Sequence, residues 1–415
     1  MEIVDFNPWW ETGQVDTEIA KFKKRHLFNQ LKNNLSERQI DVITGLRRVG
    51  KTVLMHQLID HLLKSRVNPK KIMYFPFDLE REDLEKIIKI YEEKILRGRI
   101  RNQKIFLFLD EIHKLKDWEN KIKVLYDLNL KIKLVLSGSA SLNLMRQSRE
   151  SLAGRVRYNY LPPLTFREFI EFSGNRIPDR EDYEIHRRKL NILLNEFVLR
   201  GFPETLKMTD KKAKEYVREL VVERIIYRDI SESFRIEDVE IIRILAEYIF
   251  ENPGVILNVD ALSRDLKRHK KTIRNALNYL ELSLLIKRVS NLRKSYLSTS
   301  RKNKKGYPLH ASLSTSDNED KNLETLIRSE INAEHYWREG RYEVDFVKKE
   351  DRKIIPVEVK NKEKLDKNDF KSISKFLGVF GADKGYIIYR GGEEYTVSET
   401  ITVLPVTKLL LAEYL

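Results

Sequence analysis

The sequence predicts an α/β protein built from a parallel-sheet core, a helical subdomain, a second helical block with a basic stretch, and a C-terminal α/β module. Three observations predict it. Over residues 1–160 short continuous apolar runs alternate with amphipathic segments, the pattern of buried parallel strands joined by helices. Helical periodicity takes over from residue 160 to 292, and near residue 324 strands return, interleaved with helix. The resulting expectation is four segments, 1–160, 161–235, 236–305 and 306–415, in keeping with about 100–200 residues per domain.

In the first segment the apolar runs place strands at 40–44, 71–78, 105–110 and 133–137, with helices at 51–64 and 82–96. After Leu161-Pro162-Pro163 the chain reads as helices (TFREFIEFSG, NILLNEFVLRG, KKAKEYVRELVVERIIYRDI), expected to form a helical lid. The best helical segments of 236–292 are VDALSRDL and TIRNALNYLELSLL. Between Val289 and Asp320 periodicity fails and Ser, Asn and Lys dominate, as in a linker or an extended wing. From Glu324 the order is helix, strand, hairpin, strand, helix, strand.

Composition narrows the function. With 41% hydrophobic and 10% aromatic residues, wholesale disorder is excluded. The longest apolar run, Ile105 to Leu109, is far short of the roughly 20 residues of a membrane helix. MEIVDFNPWWETG has no basic stretch leading into an apolar one, so a cytoplasmic location is expected. Zero cysteines remove disulfides, thiolate catalysis and cysteine-bound zinc, leaving oxygen ligands and hard cations, Mg²⁺ first. The net charge of +15 suits a polyanionic partner, nucleic acid before membrane; a surface of the thermophile type, 34% charged, explains it equally.

Gly45-Leu46-Arg47-Arg48-Val49-Gly50-Lys51-Thr52 follows the strand IDVIT and opens a helix at Val53, the strand–loop–helix context of a GxxxxGK[ST] phosphate-binding loop. Glycines let main-chain N–H groups face inward, and the helix N-terminus favours an anion. Lys51 is expected to reach the β- and γ-phosphates of ATP and Thr52 to offer a hydroxyl to Mg²⁺, with Arg47 and Arg48 as further phosphate or partner contacts. Asp110 ends the apolar strand IFLFLD, where an acid is costly unless it serves a cation; Glu111 beside it would orient and deprotonate the attacking water. Helix capping is the neutral explanation of both acids. In KLVLSGSAS, Ser137 or Ser139 senses the γ-phosphate or holds water, unless Ser139 caps the next helix. Arg155, in SLAGR, is placed either as an arginine finger toward a neighbouring subunit of a homo-oligomer or as a surface ion pair.

NPWW, TGLRRVGKT, FLDEIH, LSGSAS with LAGR, PLTFREF and LRGFPE together resemble the archaeal and bacterial AAA+ ATPases that carry a helix-rich and nuclease-like C-terminal part. The resemblance covers most of the chain. It implies nucleotide contacts at Gly50, Lys51 and Thr52, metal and water positioning at Asp110 and Glu111, and sensing near Ser137. A second sensor arginine is not evident; Arg200 in LRGFPE is a substitute or a cation at a helix end.

Residues 260–266 and the segment from His269 read as helix, turn, helix, with Ile273, Leu277 and Leu280 inward and Lys271, Thr272, Arg274, Asn275 and Asn278 outward. Eight basic residues and no acid lie between Lys287 and Lys305, fit for the wing of a winged helix-turn-helix on a DNA backbone. A helical adaptor with a solvated basic linker is the alternative, and Thr272 then simply caps its helix.

Glu343-Val-Asp345-Phe-Val and Ile354-Ile-Pro-Val-Glu358-Val-Lys360 alternate like paired strands, which puts Glu358 and Lys360 on one face within reach of Asp345. With helical Glu324 this resembles the PD-(D/E)XK restriction-endonuclease-like arrangement, in which Asp345 and Glu358 would hold Mg²⁺, Lys360 would assist water, and Glu324 would be an accessory ligand. Two readings follow: an ATPase that binds DNA and cleaves it, or a nucleotide-controlled switch that docks on DNA or protein without cutting. Convergence of Glu324, Asp345, Glu358 and Lys360 on one cation separates them.

Overall fold

The computed structural model describes residues 2–79, 82–138, 152–234, 236, 238–295, 298–299, 303–350 and 353–411. The chain divides into two units, Met1–Pro163 and Leu164–Leu415. Among the described residues no helix is long and apolar enough to cross a membrane.

In the first unit five strands, β1 (Ile40–Thr44), β2 (Ile72–Pro76), β3 (Ile105–Asp110), β4 (Ile132–Gly138) and β5 (Val156–Tyr160), pair in the order β5-β1-β4-β3-β2. All are parallel. β1 to β4 are buried along their whole length, which is why IMYFP and IFLFLD read as near-continuous apolar runs, while Asp41 of β1 and Lys133 of β4 are buried as an ion pair at 2.6 Å. β5, VRYNY, lies at an edge, and its half-exposed alternation of polar and aromatic residues hid it from the sequence reading. The helix after the phosphate-binding loop spans Lys51–Lys64 as expected. The segment expected as one helix over 82–96 is an α-helix, Leu84–Ile90, that widens into a π-helical turn, Tyr91–Leu96. β2, at the other edge, is covered by the N-terminal NPWW segment, which shields its open hydrogen-bonding side.

The second unit holds a nine-stranded sheet built from β6 (Val255–Leu257), β7 (Ile286–Asn291), β8 (Lys304–Pro308), β9 (His335–Glu339), β10 (Tyr342–Glu350), β11 (Lys353–Lys360), β12 (Gly385–Tyr389), β13 (Tyr395–Ser398) and β14 (Ile401–Pro405). Its order is β13-β14-β12-β11-β10-β9-β7-β8-β6. β9, β10 and β11 form an antiparallel meander, and β12 lies parallel to β11 after the helix Lys371–Phe380. The helices Val239–Glu251, Val259–Asp265 and Lys270–Leu282 precede the antiparallel pair β7–β8, with β6 on the far side of β8. β7 also runs parallel to β9 through Ser290–His335 and Asn291–Tyr336, so one sheet joins the two regions.

Residues 161–235 are expected as a helical lid subdomain. Its helices Phe166–Phe172 and Tyr183–Leu199 spend their apolar faces inside the second unit, where Phe166, Phe169, Leu194 and Phe197 share a core with Val357, Val359, Ile388 and Leu404. The stretch 289–320, expected as a mobile linker or an extended wing, contains β8, which pairs antiparallel with β7 and buries Lys305 and Tyr307; a short polar strand such as KKGYP is made by its two partners rather than by its own residues.

Candidate functional site

At the C-terminal ends of β1, β3 and β4 the parallel register brings the phosphate-binding loop, Asp110 and Ser137 together, the edge of an open α/β sheet at which ligands bind. The loop's form follows from its residues. Gly50 has φ 96°, a value open to glycine at little cost. A Cβ on Gly45 would meet the Leu161 carbonyl oxygen at 2.3 Å, so only glycine fits there. Arg48, exposed, takes φ 64°. Val49 is buried, and its carbonyl accepts from Arg25 Nη1 at 2.6 Å, while Arg25 Nη2 donates to the Pro162 carbonyl at 2.8 Å. Buried Arg25 thereby ties the loop to the end of β5. Lys51 arches back over the loop, its Nζ donating to the carbonyls of Gly45 and Leu46 at 3.1 and 2.9 Å. Arg47 is half-buried and Val53 half-buried, both at the loop's margin.

Asp110, 3% exposed, is held by four neutral donors. Oδ2 accepts from the Thr52 hydroxyl at 2.6 Å and from the Tyr74 hydroxyl at 2.9 Å. Oδ1 accepts from Ser137 Oγ and from the Glu111 main-chain N–H, the latter at 3.1 Å. Such donors fix the carboxylate plane and leave its charge in place. Glu111 sits in the left-handed region, φ 50°, a conformation costing about 1–2 kcal/mol for a residue with a Cβ. Its N–H also reaches Ser137 Oγ at 3.1 Å, and Oε2 lies 3.3 Å from Nδ1 of buried His113. Burial pushes the His113 imidazole below its ordinary pKa, so the ring is neutral near pH 7. Asp78, just past β2, joins the group: burial first, then the charges of Glu111 and Asp110, raise its pKa.

The sequence singled out Gly45, Lys51, Thr52, Asp110, Glu111 and Ser137, and hydrogen bonds link them around the loop and the end of β3. Tyr74, Asp78 and His113 border the same group, Arg25 braces the loop behind it, and none of these four was singled out. Arg155 lies apart, bidentate to Asp127 on the surface at 2.9 and 3.1 Å. Ser139 falls outside the described residues. Arg200, in the second unit, ends its helix and bonds the Glu196 and Met208 carbonyls and Asp210, as a cation at a helix C-terminus does.

A second cluster lies in the C-terminal unit. Asp345 on β10 and Glu358 on β11 face each other, Glu358 Oε2 accepting from the Asp345 N–H at 3.3 Å and Asp345 Oδ2 from the Val359 N–H at 2.8 Å. Lys360 Nζ donates to Glu358 Oε1 at 2.7 Å. Glu324, on the helix Glu319–Glu330, accepts from Lys321 Nζ at 2.7 Å and from the Tyr307 hydroxyl at 3.2 Å. Lys305 pairs with Glu343. Burial, then the Asp345 charge, pushes the Glu358 carboxyl up to about 8; burial and Asp345 raise Glu324 as well. Lys305 and Tyr307 were not singled out as partners of these acids because they stand far from them in the sequence, whereas Lys321, three residues before Glu324 on the same helix, carried a usable signal. Among the described residues no group of three or more His, Asp or Glu is arranged to hold a metal ion.

In the helical region, the helix Lys270–Leu282 buries Ile273, Leu277 and Leu280 and exposes Lys271 and Arg274, with Thr272 and Asn275 half-buried. His269, not Thr272, caps it, its Nδ1 accepting from the Lys271 N–H at 3.2 Å. Asn278 is engaged internally by Arg288 at 2.7 Å.

Residues 37–170 match a family described as an AAA domain, a span that contains the loop, Asp110, Glu111 and Ser137. Residues 192–316 and 323–409 match two domains of unknown function, DUF8612 and DUF4143. The chain is similar to an uncharacterized protein, MJ1544, of Methanocaldococcus jannaschii, 29% identical over 80% of this chain and 76% of that one. It is also similar to an uncharacterized protein of Haemophilus influenzae, 25% identical over 77% of this chain and 82% of the other. Among solved structures, AMPPCP-bound DnaA from Aquifex aeolicus aligns at 14% identity and a TM-score of 0.28, covering 66% of this chain and 92% of that one. The family match and the five-stranded parallel sheet agree on an AAA-type P-loop fold for the N-terminal part.

Proposed function

We propose that the chain binds and hydrolyses ATP at the loop of the first unit and that nucleotide state controls DNA binding by the second. The observation that carries the hydrolytic reading is the convergence of Thr52, Asp110, Glu111 and Ser137 at the mouth of a loop over which Lys51 is folded. Thr52 and Asp110, hard oxygen donors 2.6 Å apart, suit Mg²⁺, which supplies charge neutralisation at the phosphates when bound. Lys51 leaves the loop carbonyls for the phosphates, Glu111 orients and deprotonates water, and Ser137, bonded to both acids, couples their positions. Arg47, half-buried, and Arg48, exposed, on the loop are further phosphate contacts in this reading. Arg155 serves as a finger only in an oligomer that frees it from Asp127.

The helix–strand–helix–helix–hairpin order of 239–308 supports a winged helix, with Lys271 and Arg274 on the exposed face of its third helix as phosphate contacts. The meander β9–β11 followed by helix and parallel β12 supports a PD-(D/E)XK-like fold bearing Glu324, Asp345, Glu358 and Lys360. A non-cutting switch is favoured over cleavage by one observation: lysines answer the carboxylates of Glu324, Glu343 and Glu358. The test is phosphate release and plasmid nicking measured with Mg²⁺, with and without DNA. Turnover stimulated by DNA with no nicking supports the switch, and nicking that Lys360→Ala abolishes supports cleavage. No turnover in any condition refutes the hydrolytic reading.

A further inference from the structure

The segment Asn7-Pro8-Trp9-Trp10 plays no part in the nucleotide reading above, yet it is built into the cation end of the site. Asn7, fully buried, acts as a one-residue strand on the open edge of β2: Nδ2 donates to the Tyr74 carbonyl at 2.9 Å and Oδ1 accepts from the Tyr74 N–H at 2.7 Å. The indole N–H groups of Trp9 and Trp10 both donate to the Ile72 carbonyl, at 3.0 and 2.8 Å. Buried Trp9 meets the His56 ring edge-on at 6.3 Å, and His56 packs on the Tyr74 ring at 4.5 Å. The other side of His56 lies 2.9 Å from the Thr52 carbonyl. Tyr74 and Thr52, the two residues so braced, are the two that donate to Asp110 Oδ2.

From this geometry we infer that Tyr74 is a positioning residue for the divalent cation at Asp110 and that the NPWW segment sets Tyr74; the inference rests on the nucleotide reading. The reason is the count of donors on one oxygen. A loop hydroxyl that accepts a cation on one lone pair still has its hydrogen to donate, so Thr52 and Tyr74 both hold Oδ2 when the site fills. The Tyr74 bond, made by a residue outside the loop, keeps Oδ2 from rotating away from the cation. Partners outside the coordination shell typically change metal affinity 10–100-fold when removed.

Tyr74→Phe deletes one O–H and retains the ring against His56 and the main-chain bonds to Asn7. Binding of methylanthraniloyl-ATP to the full chain, followed by fluorescence in EDTA and across a Mg²⁺ titration, reads the effect without requiring turnover. The expected result is unchanged affinity in EDTA and a Mg²⁺ midpoint raised about 10-fold. Asn7→Ala is expected to move the midpoint in the same direction, and where it does not fold Tyr74→Phe decides alone. A lowered melting temperature with an unmoved Mg²⁺ midpoint in Tyr74→Phe overturns the inference, since a merely structural bond gives that pattern. Failure of the wild-type chain to bind the probe at all refutes the nucleotide reading itself.

Discussion

The two acidic clusters of this chain use opposite means to keep carboxylates out of water. In the first unit Asp110 is held by two side-chain hydroxyls, a phenol and a main-chain N–H, all neutral. In the second, Glu324, Glu343 and Glu358 are each matched to a lysine: Lys321, Lys305 and Lys360. Neutral donors orient a carboxylate without supplying a counter-charge, whereas an ammonium supplies one; Asp345 of the second cluster, held by the Val359 N–H, follows the first pattern. Motif spacing alone does not reveal these pairings in full, because Lys305 lies 38 residues from Glu343 in the sequence.

The comparison breaks most decisively at Lys51. Lys51→Ala is expected to lower ATP turnover by about 100-fold or more with the fold retained, as removal of a transition-state charge contact does; phosphate release and circular dichroism check both parts. Glu111→Gln should slow turnover about 100-fold while ATP stays bound, measured by filter retention of labelled ATP, because the loop is intact and the base is gone. In the second cluster Lys360→Ala leaves Glu358, 5% exposed, without its cation, and a loss of about 1–3 kcal/mol of stability is expected in denaturant titration, with ATP turnover unchanged.

Acidity sharpens the contrast further. Glu358 has its pKa raised in the fold, from an ordinary 4.5 to about 8, so between these values the folded chain holds a proton that the unfolded chain has released. Stability therefore falls as pH rises through that window. Glu358→Gln should flatten the fall, measured as denaturation midpoints from pH 5 to 8. The smallest expected effect belongs to the exposed face of the helix Lys270–Leu282: under the proposed DNA binding, Lys271→Ala or Arg274→Ala should weaken binding across sequences and reduce the salt slope by about one unit each, read by anisotropy at several salt concentrations.

Much of the first site was legible because its requirements are local. A phosphate loop needs glycines, a lysine and a hydroxyl within eight positions, and buried parallel strands such as β2 and β3 leave near-continuous apolar runs. Tyr74 was hidden inside such a run, IMYFP, where a tyrosine reads as one more core residue. Asp78 carried a usable signal, an acid just past an apolar strand, the same argument that found Asp110. Arg25 carried none: its partners, Val49 and Pro162, lie 24 and 137 residues away. β5 and β8 escaped because edge position and partner strands, not their own composition, make them strands. The helices of 166–199 were recognised as helices, but a periodic apolar face does not say which core it enters.

The most direct measurement is a calorimetric titration of ATP into the chain with Mg²⁺ and with EDTA, repeated on Lys51→Ala. A saturable heat, stronger with Mg²⁺ and absent from the variant, is the outcome expected of a loop that cradles a triphosphate beside a cation-ready Asp110. No heat from the wild-type chain, or the same heat from Lys51→Ala, would contradict it.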